Sequence, residues 1–137
     1  MEKQTEPKSS SRFTIIKKVL VFGSLICFTF LFIVYLWACF DTRSSVKEIS
    51  AEAMQQYPGD RIEALITYVK NENHSLRQRN RAVWALGQIG DQRALPVLTE
   101  SYTGRPCDHD NCLCQRELQK AIELCKGGLN ATAWLPR

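Results

Sequence analysis

Residues 19–40 form a run of 22 positions without a single Asp, Glu, Lys or Arg. At about 1.5 Å of rise per residue, a helix of that length covers about 33 Å, close to the ~30 Å hydrocarbon thickness of a bilayer. Such a run is too long and too apolar for an ordinary core helix of a small domain, so it reads as one membrane-crossing helix. Lys17 and Lys18 close it on one side, and Tyr35 and Trp37 near the other side suit the headgroup zone, where amphipathic rings settle.

Two other readings compete with an uncleaved anchor. A cleaved signal peptide has a shorter apolar region, about 7 to 15 residues, and a small-x-small cleavage site. Lipidation at Cys39 is the second, because Leu36-Trp37-Ala38-Cys39 resembles a bacterial lipobox, although Trp37 stands where a small residue belongs. The formal charge of +4 divides unevenly around the apolar run. Lys3, Lys8, Arg12, Lys17 and Lys18 against Glu2 and Glu6 give the first 18 residues +3, which leaves +1 for everything after them. The basic balance therefore speaks about membrane orientation rather than nucleic acid, and no nucleic-acid partner is expected. Positive residues favour the cytoplasmic side, and only Arg43 and Lys47 follow closely on the other side, which predicts a cytoplasmic N-terminus and an extracytoplasmic C-terminal domain. The expected organisation is a basic tail at 1–18, a transmembrane helix at 19–40, one small domain at 41–128 and a tail at 129–137.

That domain has helical periodicity throughout. After a polar joint, Val46, Ile49 and Ala53 recur on one helical face, and Pro58-Gly59 ends the helix. Asp60 with Glu63 three residues on has the form of a capping box. Ile62, Leu65, Ile66 and Val69 then give a second amphipathic helix. Ala82, Ala85, Leu86 and Ile89 repeat the pattern, Gly90 suits a left-handed C-terminal position and Asp91 can cap the next helix. Its inward side is expected to be Leu95, Leu98 and Tyr102, with Pro96 in the first turn, where its missing N–H costs nothing. Leu118, Ile122 and Cys125 open a last unit that runs into Gly127-Gly128. Ala53 and Met54 align with Ala85 and Leu86 at an offset of 32, and Ile62, Ala64, Leu65 and Val69 align with Leu95, Val97, Leu98 and Tyr102 at 33, as a duplicated helix pair requires.

Arg81-Ala82-Val83-Trp84-Ala85-Leu86-Gly87-Gln88-Ile89-Gly90-Asp91, followed by Ala94-Leu95-Pro96-Val97-Leu98, resembles a HEAT-like repeat of the phycobilisome-lyase type. The match extends over about one repeat, with degenerate copies at 45–72 and 115–128. The resemblance implies an α-solenoid whose concave face binds protein partners, and with the apolar run before it the expected fold is all-α: one N-terminal transmembrane helix followed by a short α-solenoid of about five helices. In it Gly87 would allow close helix approach, and Arg81 and Asp91 would bridge turns. Fewer than about three solenoid units are usually marginal, so the last face is expected to need a cover: the cysteine-containing loop 104–114, a partner, or a second copy of the chain.

Cys107, Cys112, Cys114 and Cys125 are spaced C-x4-C-x-C-x10-C. If 114–125 is one helix, its ends lie about 16 Å apart, so Cys114 cannot bridge Cys125. Cys107 can close on Cys112 or Cys114, while Cys125 remains a thiol or meets Cys107 if the loop folds back. An oxidising compartment favours disulfides, and the paired C-x2-C spacing of zinc sites is absent. His74 and His109 lie in polar sequence without catalytic partners, and no G-x-S-x-G, H-E-x-x-H or phosphate-loop signature is present. No catalytic residue, cofactor or metal is expected. Arg77, Arg79 and Arg81 read as a solvated helix side or as an anionic-partner patch. Trp84 lies off the apolar stripe, as a packing residue or as a binding anchor, so Arg77, Arg81 and Trp84 are the candidate partner contacts. Asn73-His74-Ser75 and Asn130-Ala131-Thr132 have the form of glycosylation sequons.

The expected function is a single-pass membrane-anchored helical-repeat protein that binds or scaffolds an unidentified protein, or itself, and does no chemistry. A chromophore-lyase-like enzyme subunit and a cysteine-based redox or metal-responsive module are the alternatives.

Overall fold

A computed structural model describes residues 9–108 and 110–131. Residues 1–8 with Lys3 and Lys8, His109, and residues 132–137 with Thr132 of the second sequon lie outside the described residues. The chain is all-α: α1 (Ser9–Gln56), α2 (Arg61–Lys70), α3 (Leu76–Ile89), a 3-10 turn (Gln92–Ala94), α4 (Leu95–Ser101) and α5 (Gln115–Cys125). The polar joint expected after residue 40 does not interrupt the helix. Asp41, Thr42, Arg43, Ser44 and Ser45 include neither glycine nor proline, and their helix propensities cost only tenths of a kcal/mol each, so α1 continues to Gln56 and stops just before Pro58-Gly59.

The chain separates into two compact units, one ending at Ala38 and one beginning at Cys39. In the first, α1 exposes Val19, Leu20, Val21 and Phe22 in succession and Phe28, Phe30, Leu31 and Phe32 further on, so the helix is apolar all round rather than on one stripe. Its most apolar window has a mean hydropathy of 2.6 and no burial against protein, and it is long enough to cross a membrane. The hydroxyls within it are satisfied by their own helix: Ser24 donates to the Val21 carbonyl at 2.9 Å and Thr29 to that of Ile26 at 2.8 Å.

In the second unit α3 is the central helix, packed against both α2 and α5, with α4 also against α5. The C-terminal part of α1 meets α3 through an ion pair between Glu48 and Arg81 at 2.7 Å, and α3 meets α5 where Asn80 Oδ1 accepts the Cys114 N–H at 2.8 Å. Across the domain, Arg93 at the start of the α4 segment reaches the α2 cap Asp60 at 2.6 Å. The helices enclose a core containing Ile49, Ala53, Leu65, Tyr68, Val69, Val83, Leu86, Leu98 and Leu118.

The caps form as the sequence dictates. Asp60 accepts the Ile62 and Glu63 N–H groups while Glu63 returns to the Asp60 N–H, and Ser75 with Gln78 makes a second capping box. Gly90 ends α3 at φ 69°, a left-handed position that costs a residue without Cβ nothing. Asp91 then accepts the Arg93 N–H, and Pro96 lies in the first turn of α4. Tyr102 departs from expectation. The helix ends at Ser101, so Tyr102 becomes its exposed C-cap; Leu98 is buried as expected, Leu95 packs partly against the core, and Ala94 and Val97 fill the other inward positions.

The last helix is two-sided. On α5, Leu118, Ala121, Ile122 and Cys125 face the core, whereas Arg116, Gln119, Lys120 and Glu123 face solvent. Leu113 from the connection 104–114 joins the core beside these residues, so that loop supplies part of the cover.

Arg93 joins two helix caps at once, bonding Asp91 at 3.0 Å as well as Asp60. The Glu63 N–H and the Arg93 guanidinium hold the Asp60 carboxyl below its ordinary value, and Arg93 does the same for Asp91. A carboxylate with a depressed folded-state pKa adds stability that is present above the unfolded value and lost as pH falls through the folded one. The helical domain should therefore weaken as pH falls below about 4. Arg93→Ala should move the onset of acid unfolding to higher pH, as followed by circular dichroism; an unchanged onset would mean the bridged caps contribute nothing.

Candidate functional site

Two regions gather the residues to which the sequence points. On α3, Arg77, Arg81, Trp84 and Gln88 recur at i, i+4, i+7 and i+11 and make one stripe that runs from exposed Arg77 to half-buried Trp84 and Gln88 at the edge of the core. Arg77 is exposed, and Arg81 is tied to Glu48. Arg79 is turned away, its Nε donating to the Val69 carbonyl at 2.8 Å, where it closes the last turn of α2. The basic run of the sequence is thus split between two jobs.

Trp84 is half-buried and packs against the core edge while it lines a cavity of about 180 Å³ between α3 and α5. Gly87, Gln88, Glu117, Lys120 and Leu124 complete the walls. The floor exists because α3 and α5 approach closely at Gly87: a Cβ placed there would stand 2.8 Å from the Ala121 Cα and 2.9 Å from its Cβ. A tryptophan beside a groove floored by glycine and rimmed by Glu117 and Lys120 can take an apolar side chain while its edges hydrogen-bond to the same ligand.

The second region is the segment from Tyr102 to Cys114, which connects α4 to α5. It is held from beneath by Gln115, a buried polar side chain whose Oε1 accepts the Thr103 N–H at 2.7 Å and whose Nε2 donates to the Leu113 carbonyl at 3.0 Å. Cys114 is the N-cap residue of α5, with its N–H given to Asn80. Cys107 Sγ stands 3.5 Å from Cys114 Sγ and accepts the Arg116 N–H at 3.4 Å. Cys112 turns elsewhere, its thiol donating to the Asp108 carbonyl at 3.2 Å. Cys125 does not join this group. It lies eleven residues along α5, 1% exposed, bonded to the Leu86 carbonyl, and burial pushes its thiol up to about 11. The six cysteines are all unbridged here. Among the described residues, no group of three or more His, Cys, Asp or Glu side chains is placed to hold a metal ion.

His74 has a structural partner set: its ring stacks on Tyr68 with centroids 3.8 Å apart, and its Nε2 bonds the Tyr57 hydroxyl at 2.8 Å. Sequence reasoning missed Tyr68, Asn80, Arg93 and Gln115. Each is a polar or amphipathic residue whose role depends on a partner 12 to 34 positions away, and no local pattern marks it.

Residues 78–103 match the family model of the PBS lyase HEAT-like repeat. The matched stretch covers α3 from Gln78 onward, the 3-10 turn, α4 and its C-cap, which is one helix pair. No curated protein and no solved structure matches the chain.

Proposed function

Because the chain carries a HEAT-like helical repeat at residues 78–103, we propose that it is a single-pass membrane protein whose helical-repeat domain binds or scaffolds another protein. Residues 19–40 anchor it, the N-terminus lies in the cytoplasm, and the domain works on the other side as a short solenoid without chemistry of its own. The observation that carries this reading is the pairing of an apolar helix, exposed on every side, with a repeat unit of a type that serves protein interaction. Ser24 and Thr29 support it, since a bilayer offers no water and each hydroxyl already has a partner within the helix. The positive charge of the first 18 residues supports the orientation. The partner surface is the side of α3 centred on Trp84, beside the α3–α5 cavity, and extending to Arg77 and Arg81. Kinship with lyase-type repeats concerns the scaffold, and a fold does not transfer an activity.

The test has two arms. Alkaline carbonate should leave the full chain in the membrane pellet, and two arginines introduced at Leu25 and Phe32 should release it, because each charge at the bilayer centre costs about 2.5–3.5 kcal/mol on insertion scales. A photocrosslinking residue at Arg77 should yield a discrete adduct in intact membranes, whereas one at Thr67, exposed on α2, should not. Extraction of the unaltered chain defeats the anchor, and equal crosslinking at both positions defeats the surface.

A further inference from the structure

The sulfurs of Cys107 and Cys114 are the only two among the described cysteines that face each other, and their surroundings are unequal. Cys107 is exposed in the α4–α5 connection, with its Sγ at the N-terminal end of α5, where the Arg116 N–H points at it. An unpaired N–H at a helix start, reinforced by the helix dipole, favours a thiolate. The Arg116 N–H and then the Cys114 thiol hold the Cys107 thiol below its ordinary value, and the Arg116 charge adds to them. Cys114 is buried and its backbone is fixed to α3 through Asn80. One sulfur is thus reachable and activated, and the other is sheltered directly behind it. Their separation exceeds a disulfide bond of ~2.05 Å by about 1.5 Å, a gap within reach of a side chain on an exposed connection.

We propose that Cys107 and Cys114 are a reversible dithiol–disulfide pair that reacts with low-molecular-weight disulfides, with Cys107 as the attacking sulfur and Cys114 as the resolving one. The Cys107 thiolate attacks one sulfur of R–S–S–R, the S–S bond breaks, and the electron pair leaves with R–S⁻. The product is a mixed disulfide, Cys107–S–S–R. The Cys114 thiol then loses its proton and attacks Cys107 Sγ, expelling the second R–S⁻. The protein gives up two electrons and two protons, and one small disulfide becomes two thiols. Closing this bridge ties the connection to the start of α5. The segment between the two cysteines supplies Asp108, Asn111, Cys112 and Leu113 to a cavity of about 460 Å³ that Arg79 lines from α3, so the redox state of the pair fixes one wall of that cavity. The inference stands independently of the membrane reading.

The full chain, reduced in detergent and exposed to oxidised glutathione, tests it, with the product read on the peptide spanning residues 94–116. The unaltered chain and Cys112→Ser should both end two hydrogens lighter on that peptide without a retained adduct. Cys114→Ser should stop at one glutathione on Cys107; serine is a favoured N-cap, so this variant keeps the helix start. Cys107→Ser should slow the first step by about tenfold or more, the thiolate advantage of a sulfur at a helix N-terminus. Loss of the bridge in Cys112→Ser, or an adduct that collects first on Cys112, would overturn the assignment.

Discussion

Gly87→Val should lower the thermal midpoint of the helical domain by about 5–20 °C. The estimate rests on about 1–3 kcal/mol for forcing extra methyl groups into a packed interface, at about 4–8 °C per kcal/mol for a domain of this size. The atoms in the way are backbone and near-backbone: the Ala121 Cα at 2.8 Å and Cβ at 2.9 Å from the position of a new Cβ. No flexible side chain can swing aside, so α3 and α5 must separate. Valine gains helix propensity over glycine by only a few tenths of a kcal/mol, too little to offset that. Alanine is the sharper probe, because it gains about 1 kcal/mol of propensity and still meets the same two atoms. Gly87→Ala should therefore fall short of the stabilisation that a solvent-facing helical glycine would give. Adding Ala121→Gly should restore part of the loss, since it removes the Cβ at 2.9 Å and leaves the Cα at 2.8 Å. Melting of the full chain in detergent, followed by circular dichroism, checks the set. A valine variant that melts with the parent would mean the helices do not approach as described.

The close approach at Gly87 was implied by the resemblance to a HEAT-like repeat, and several caps were legible in the residues themselves. Ser, Asp, Gly and Pro signals are local: Asp60 with Glu63, Gly90 and Pro96 each act on groups within four residues, and all are found where the sequence puts them. The apolar stripes were legible for the same reason, with Ile49, Ala53, Leu65, Val69, Leu86 and Leu118 buried. What escaped is whatever depends on where a helix stops or on a distant partner. Tyr102 continues the stripe on paper, but α4 ends one residue earlier. The polar residues 41–45 suggested a break, but weak propensity alone does not stop a helix that lacks glycine or proline. Helix length already separated Cys114 from Cys125, but left Cys107 free to close on Cys112, Cys114 or Cys125. The structure divides them into the facing pair Cys107 and Cys114, Cys112 turned to the Asp108 carbonyl, and the core thiol Cys125, and spacing along the chain does not reveal which sulfurs face each other.

Tyr68 is the residue whose loss should cost most. It is fully buried, yet it is not an apolar core residue in its chemistry: its hydroxyl donates to Glu52 on α1 at 2.6 Å, its ring stacks on His74, and it meets Tyr57 edge-on at 6.1 Å between centroids. One side chain thus ties α1, α2 and the turn before α3. Tyr68→Ala should cost about 3–5 kcal/mol as a large aromatic truncation, against a total stability of roughly 5–15 kcal/mol for a domain, and should leave a large unfolded fraction at 37 °C. Tyr68→Phe keeps the ring and loses only the bond to a carboxylate, about 1.5–3 kcal/mol. The two variants also separate in alkali. Burial, then the bond to Glu52, pushes the Tyr68 hydroxyl up to about 12 from an ordinary value of 10.0. The folded state therefore holds this proton more tightly than the unfolded chain, and stability falls as pH rises from about 10 through 12. Cys125, raised to about 11 by burial, adds a decline that begins nearer pH 9. Tyr68→Phe should flatten the upper part of that curve and leave the lower part intact, whereas Cys125→Ala should do the reverse. Unfolding midpoints in urea measured from pH 8 to pH 12 decide it: if the phenylalanine variant follows the parent's decline through pH 12, the tie between Tyr68 and Glu52 is not what holds α1 against α2.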